Sequence, residues 1–293
     1  MRKQILFIVA LFALALTACN NNNDDSTPSN GDLTLNLNGL EDLGSDYVYE
    51  GWVIVGGTPV STGTFTVNSS GALSATTFSV SKSNLDNATA FVLSIEPAND
   101  PDPAPSAVKI LSGDFSGNTA NVNITSLVGD FSTSSGKYFL ATPTDGNQNP
   151  LSGVWFIDNS TGSNTAGLKN LPTLGDGWVY EGWAVINGTP VSTGTFKTAD
   201  GADMGPTPTF SGPMGGPAYP GEDFLTNAPS GLTFPTNLSG ATIVVSVEPV
   251  PDNSAAPFTL KPLTGSVPAS AAGGTNYSLT FGDSSFPTGS VSR

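Results

Sequence analysis

Histidine is absent from this chain of 293 residues, and cysteine occurs once, at Cys19. Without histidine there is no Ser-His-Asp or Cys-His catalytic arrangement and no zinc site of the usual His and Cys kind. A single cysteine excludes any disulfide within the chain. Basic residues are scarce as well, 9 Lys and Arg against 24 Asp and Glu. That balance disfavours nucleic acid and anionic lipid head groups as partners, since both repel it. After the N-terminus there is no sustained helical period. Nor does any later apolar run approach the roughly 20 residues of a membrane-spanning helix.

What the chain has is repetition. Residues 47–67, YVYEGWVIVGGTPVSTGTFTV, return as WVYEGWAVINGTPVSTGTFKT at 178–198, with 14 of 21 positions identical. Each copy reads as a strand, a tight turn at Gly56-Gly57 or Asn187-Gly188, and a second Thr-rich strand. Gly-Gly and Asn-Gly supply the positive φ that a two-residue hairpin needs. With 34 Gly, 23 Pro and short runs of Val, Ile, Phe, Trp and Tyr, the predicted fold class is all-β, two tandem β-sandwich-like modules.

At the N-terminus, Arg2 and Lys3 precede an apolar core from Ile5 to Leu16, followed by Leu16-Thr17-Ala18-Cys19. This has the shape of a secretory signal peptide, and its last four residues resemble the bacterial lipobox. The resemblance implies cleavage after residue 18 and lipidation of Cys19. Removal of residues 1–18 leaves seven basic residues against 24 acidic ones, a formal charge of −17. The lipid must then supply the membrane attachment. Residues 19–31 read as a flexible tether; Asp24-Asp25 within it resemble an acidic surface-export signal.

The modules are expected at 32–147 and 148–293. In the first, Leu33, Leu35 and Leu37 alternate along one strand. The hairpin and runs at Thr77–Val80, Ala90–Glu96, Ala107–Leu111 and Lys137–Thr142 follow. In the second, FVLSIEP at 91–97 is matched by IVVSVEP at 243–249, an offset of 152 where the hairpins gave 131. The change locates a 21-residue insertion between Phe196 and Ile243, expected within Ala199–Gly231. That stretch reads as too rich in Gly and Pro for a strand or helix. Long loops on a rigid sheet are a frequent place for recognition, which makes Tyr219, Glu222, Asp223 and Phe224 the candidate interaction loop.

Tyr49, Glu50, Gly51, Trp52, Val53 and Ile54, then Pro59, Ser61, Gly63 and Phe65, then Glu96, Pro97 and Pro105 resemble the extracytoplasmic C-terminal domain of anti-sigma-K factors. Tyr180, Glu181, Gly182, Trp183, Pro190, Ser192, Gly194, Phe196, Glu248, Pro249 and Pro257 repeat the pattern. The resemblance implies a fold and a sensory or protein-contact role. The helical sigma-binding segment and transmembrane helix of such factors have no counterpart here, and Glu50 and Glu181 stand where the family pattern has Gln.

Carboxylate catalysis remains open to a chain without histidine. Glu50, Glu96, Glu181 and Glu248 are the strand carboxylates, and the favoured reading is structural: acceptors for backbone N–H groups or partners of Lys109 or Lys261. Calcium would suit Asn99–Asp102 and Asp252-Asn253 by donor type, but the spacing fits no regular calcium loop. Trp52, Trp155, Trp178 and Trp183 lie in strand-like runs, with core packing expected at least for Trp52 and Trp183. No cofactor or metal motif is present. The expected protein is a non-enzymatic bacterial envelope lipoprotein with a binding, sensory or structural role. It is anchored through its N-terminal lipid to the outer membrane where there is one, facing the periplasm or the exterior, with an envelope protein or a glycan as partner. Its alternative is a regulatory partner of a sigma/anti-sigma system; a glycan-acting enzyme ranks third.

Overall fold

Leu33, Leu35 and Leu37 point to one side of the first strand and are buried, while Thr34, Asn36 and Asn38 stay exposed. Each buried leucine contributes about 1.5–3 kcal/mol. The computed structural model describes residues 29–204 and 209–293. The expected signal peptide, Cys19, Asp24-Asp25 and most of the tether lie outside the described residues.

The first half builds β1 (Asn30–Asn38), β2 (Tyr47–Val55), β3 (Thr58–Phe65), β4 (Thr77–Ser81), β5 (Ala88–Pro97), β6 (Lys109–Ser116) and β7 (Thr119–Val122). The hairpin of β2 and β3 turns through Gly56 and Gly57 at φ 58° and 82°. One short helix, α1 (Lys82–Asn87), buries Leu85 and carries a Lys82–Asp86 ion pair at 2.7 Å. Six residues are too few to show a helical period, which is why the sequence pattern gave no sign of it.

The second half builds β8 (Ser135–Leu140), β9 (Gly153–Trp155), β10 (Ile157–Asp158), β11 (Thr165–Ala166), β12 (Leu168–Lys169), β13 (Trp178–Ile186), β14 (Thr189–Phe196), β15 (Gly221–Asp223), β16 (Thr242–Pro249), β17 (Leu263–Ser266) and β18 (Asn276–Phe281). The final strand is β19 (Thr288–Ser292). β15 falls inside the segment expected to hold no strand. Its three residues are fixed by pairing with β9, Glu222 opposite Val154.

Apart from β10 and β11, which pair only with each other, these strands form two nearly closed sheets, barrel- or sandwich-like, and the fold is all-β as expected. The first runs β3-β2-β5-β6-β7-β19-β1-β4; the second runs β14-β13-β16-β17-β18-β8-β9-β15, with β12 beside β8. β2 and β13 are flanked on both edges, as their bulky two-sided composition suggests.

Sheet membership departs from a boundary at 147/148. β8 pairs with β18 and β9 in the second sheet, while the C-terminal β19 lies between β7 and β1 in the first. Both strands bury one alternating face, Tyr138 and Leu140 or Val291, a pattern that fits either sheet and leaves the choice to long-range pairing. The halves are also packed together. The Thr259 hydroxyl lies 3.1 Å from the Gly39 carbonyl and 2.8 Å from that of Ser285, and Phe131 packs edge-on to both Tyr180 and Phe286. Among the described residues no helix is long and apolar enough to cross a membrane.

Candidate functional site

The repeated residues build the same polar chain twice. Trp52 donates its indole N–H to Ser94 Oγ at 2.8 Å, Ser94 donates to Glu96, and Glu96 accepts the Ser106 N–H at 2.9 Å. In the second copy Trp183, Ser246, Glu248 and the Phe258 N–H stand in the same order, with the first and last bonds again 2.8 and 2.9 Å. All six side chains are buried. Burial raises the Glu96 carboxyl and pushes that of Glu248 up to about 8, against the lowering effect of these hydrogen bonds. Both glutamates accept backbone N–H groups, one of the two structural roles anticipated for them. Lys109 turns instead to the Ser106 carbonyl.

A second repeated unit lies at the hairpin. Tyr49 stacks on Phe65, and Tyr180 on Phe196, each with centroids 5.5 Å apart. A bulge after Gly51 and Gly182 sets Thr62 and Thr193 out of register. Ser61 donates to Glu50 and Ser192 to Glu181. Glu181 is buried where Glu50 is half-exposed, and that burial pushes its carboxyl up to about 7. The acidic loops hold their own backbone: Asp100 accepts from the Asp102 N–H at 2.9 Å, and Asp252 from that of Ser254 at 2.8 Å.

Where the copies diverge is the seam between the two outermost strands of each sheet. In the first sheet β3 and β4 approach, and the Phe78 ring packs against Gly63 and, at 6.1 Å, against Phe65. In the second sheet β14 and β15 are the outermost strands, and Asp203 from the insertion lies over Gly194 in place of an aromatic ring. Asp203 Oδ2 accepts the Gly221 N–H of β15 at 3.1 Å, and the next residue, Met204, donates its N–H to the Thr195 carbonyl of β14 at 2.6 Å. Two adjacent residues thus span the seam.

Around that crossing is a cavity of about 500 Å3. Its lining includes Ser192 and Thr195 of β14, Glu222 of β15, and the Trp155, Phe210 and Tyr219 rings. This volume is in the range of small-molecule sites, roughly 300–1,000 Å3. Burial pushes the Asp203 carboxyl up to about 7, and the nearby charges of Glu222 and Glu181 add to the rise. Glu222 is raised as well, chiefly by burial, although Ser211 and the Asp223 N–H donate to it. Among the described residues, no group of three or more His, Cys, Asp or Glu side chains stands close enough to hold a metal ion.

The four candidate loop residues separate into two pairs. Tyr219 and Glu222 line the cavity. Asp223 and Phe224 are interior and cannot act as surface contacts: Asp223 accepts from the Trp155 indole at 2.7 Å and the Thr144 N–H at 2.8 Å, and Phe224 packs against Phe210 and Phe234. Pairing with β9 puts Asp223 on the Trp155 face of β15, opposite the face that Glu222 shares with Val154, and local sequence does not reveal that this second face is covered too. Asp203 and Trp155 were missed as site residues. The change of offset flagged the segment containing Asp203, but nothing in the sequence joins Trp155 to it.

The family described as anti-sigma-K factor rskA, C-terminal, matches residues 26–109, which span β1 to the start of β6. No curated protein and no solved structure matches the chain. The first module therefore carries an anti-sigma-K C-terminal-like domain, and the second repeats its hairpin and its Trp-Ser-Glu chain with Asp203 in place of the seam aromatic.

Proposed function

We propose that the chain is a non-enzymatic, lipid-anchored protein of the bacterial envelope that takes a ligand in the seam cavity of its second module. The observation that carries this reading is the divergence of the two copies at one position: Phe78 fills the seam of the first, while Asp203 and a cavity of about 500 Å3 occupy that of the second. The resemblance to an extracytoplasmic regulatory domain supports a sensory role for that binding. Commitment of Glu96 and Glu248 to backbone N–H groups supports the absence of catalysis by these two carboxylates.

The test is photo-crosslinking in intact cells, with a benzoyl-phenylalanine placed at Tyr219 or, as control, at the exposed Thr77 of the first module. Adducts confined to the Tyr219 position are expected. Equal labelling at both positions, or at neither, would remove the seam from consideration.

A second reading has the family match in its favour: the modules contact the outer portion of a sigma/anti-sigma signalling protein. Adducts identified as one envelope protein, with altered expression of its regulon when the chain is deleted, would favour it. Unchanged expression would argue against it.

A further inference from the structure

We propose that the ligand of the seam cavity is an organic cation, an ammonium or guanidinium group on an aliphatic stem. This rests on the reading of the seam as a binding site and names its chemistry.

The cavity pairs acids with rings and, among the described residues, includes no base. Asp203, lying across the seam, and Glu222 on β15 contribute carboxylates, and Tyr219, Phe210 and Trp155 contribute ring surface. Aromatic faces attract cations, more strongly as water is excluded. The charged groups acting on Asp203 are Glu222 on β15 and Glu181 on β13, and beyond Glu181 stands Asp252 on the loop after β16. All are acids. Among the described residues the base adjoining β14, Lys197, turns away to the carbonyls of Trp178 and Gly175.

Two polar atoms at this site are also left without partners. Asp203 Oδ1 is buried and has no hydrogen-bond donor among the described residues, and neither does the Thr193 hydroxyl, on a cavity-lining residue only 3% exposed. In the first copy the equivalent Thr62 donates to the Gly51 carbonyl at 3.0 Å. Buried polar groups are normally satisfied, so an unpartnered carboxylate oxygen beside like charges marks a place where a cation relieves an existing cost. An aliphatic stem suits the apolar walls, which include Ala202, Pro217 and Met204. A bare divalent ion would need six or more oxygens, whereas two carboxylates and rings suit a cation that is part organic.

Binding such a cation draws protons off the acids. Burial holds Asp203 near 7 and raises Glu222, so affinity should rise with pH up to about 7, by at most tenfold per unit for each proton released, and level off above it.

Titration calorimetry of the purified full chain with spermidine, with N-acetyl-lysine methylamide and with glucose, at pH 6 and pH 8, tests this. The expected result is binding of one or both amines that is tighter at pH 8, with proton release at pH 6, and weakened at least tenfold by Asp203→Asn and by Glu222→Gln. Thr209→Lys, which sets a fixed cation at the exposed rim and leaves both acids intact, should abolish it even if the acid variants fail to fold. Spermidine alone binding identifies a free polyamine as the source; the lysine derivative binding identifies a side chain of a peptide or protein. Tighter binding of glucose, independent of pH, would overturn the proposal, as would displacement of the amines by equimolar calcium chloride. Absence of amine binding alongside specific crosslinking at Tyr219 would overturn the cation and leave the site. Absence of both would remove both.

Discussion

Leu35 and Val291 face each other across neighbouring antiparallel strands, both buried, although the chain between them builds the rest of one sheet and all of another. The first module is therefore closed last in sequence order. Deleting Thr288–Arg293 should expose the edges of β1 and β7 together and make the protein prone to association, visible by light scattering. The milder Val291→Ala should cost about 2 kcal/mol by urea denaturation. An unchanged midpoint would mean that β19 adds nothing to the first sheet.

The buried Glu248 carboxyl makes folding stability fall as pH rises. Its folded-state value, about 8, lies above the ordinary carboxylate value of 4.5. Between those values the folded state holds a proton that the unfolded state has lost, so stability is greatest at the acidic end and falls as pH rises through that window. The slope from one such group is at most about 1.4 kcal/mol per pH unit. Glu181 and Asp203 act in the same direction. Glu248→Gln keeps an oxygen to accept the Phe258 N–H and should flatten the decline between pH 5.5 and 8.5. A parallel decline in the variant would assign it to other groups.

At the bulge, Gly182 leaves no room for a side chain. A β-carbon there would lie 2.4 Å from the Phe156 ring and 2.2 Å from Thr193 Oγ1. Gly182→Ala should destabilise by about 1–3 kcal/mol, and Gly51→Ala by a similar amount against Phe91 and Thr62. Thermal melts of the two variants would show whether the repeated Glu-Gly-Trp is conformationally equivalent in both copies.

The insertion is structural as well as a site wall. Phe224, Asp223 and β15 within it belong to the interior of the second sheet. Replacing Ala199–Gly231 by a short loop should therefore abolish cooperative unfolding of the second module. Retained cooperativity would instead make the segment an accessory excursion.

Cys19→Ser should release the protein from the membrane fraction, because the expected mature chain, at −17 once residues 1–18 are removed, is repelled by anionic lipid. Retention in membranes would refute the expected lipid anchor.

Much of the fold was legible because its signals are local. Gly56-Gly57 and Asn187-Gly188 fix turns between adjacent runs, and Leu33, Leu35 and Leu37 declare a buried face within five residues. The exchange of β8 and β19 was not legible, since Tyr138 and Val291 are satisfied by any apolar layer and the choice is made by partners more than a hundred residues away. The site was half legible for the same reason. Tyr219 and Glu222 sit in a segment that the repeat itself exposed as extra, whereas Asp203 and Trp155 join them only through tertiary packing.

With the proposed anchor at Cys19, membrane force would arrive at β1, whose two edges are engaged in succession: residues 30–34 pair with β4, and residues 34–38 pair with β19. A pull on the anchor would load the β4 rungs first and reach the rungs to the C-terminal strand only after those had given way. The hairpin of β2 and β3 shares no ladder with β1 and would be spared, so strain from the membrane would be spent in steps before it reached the repeated core.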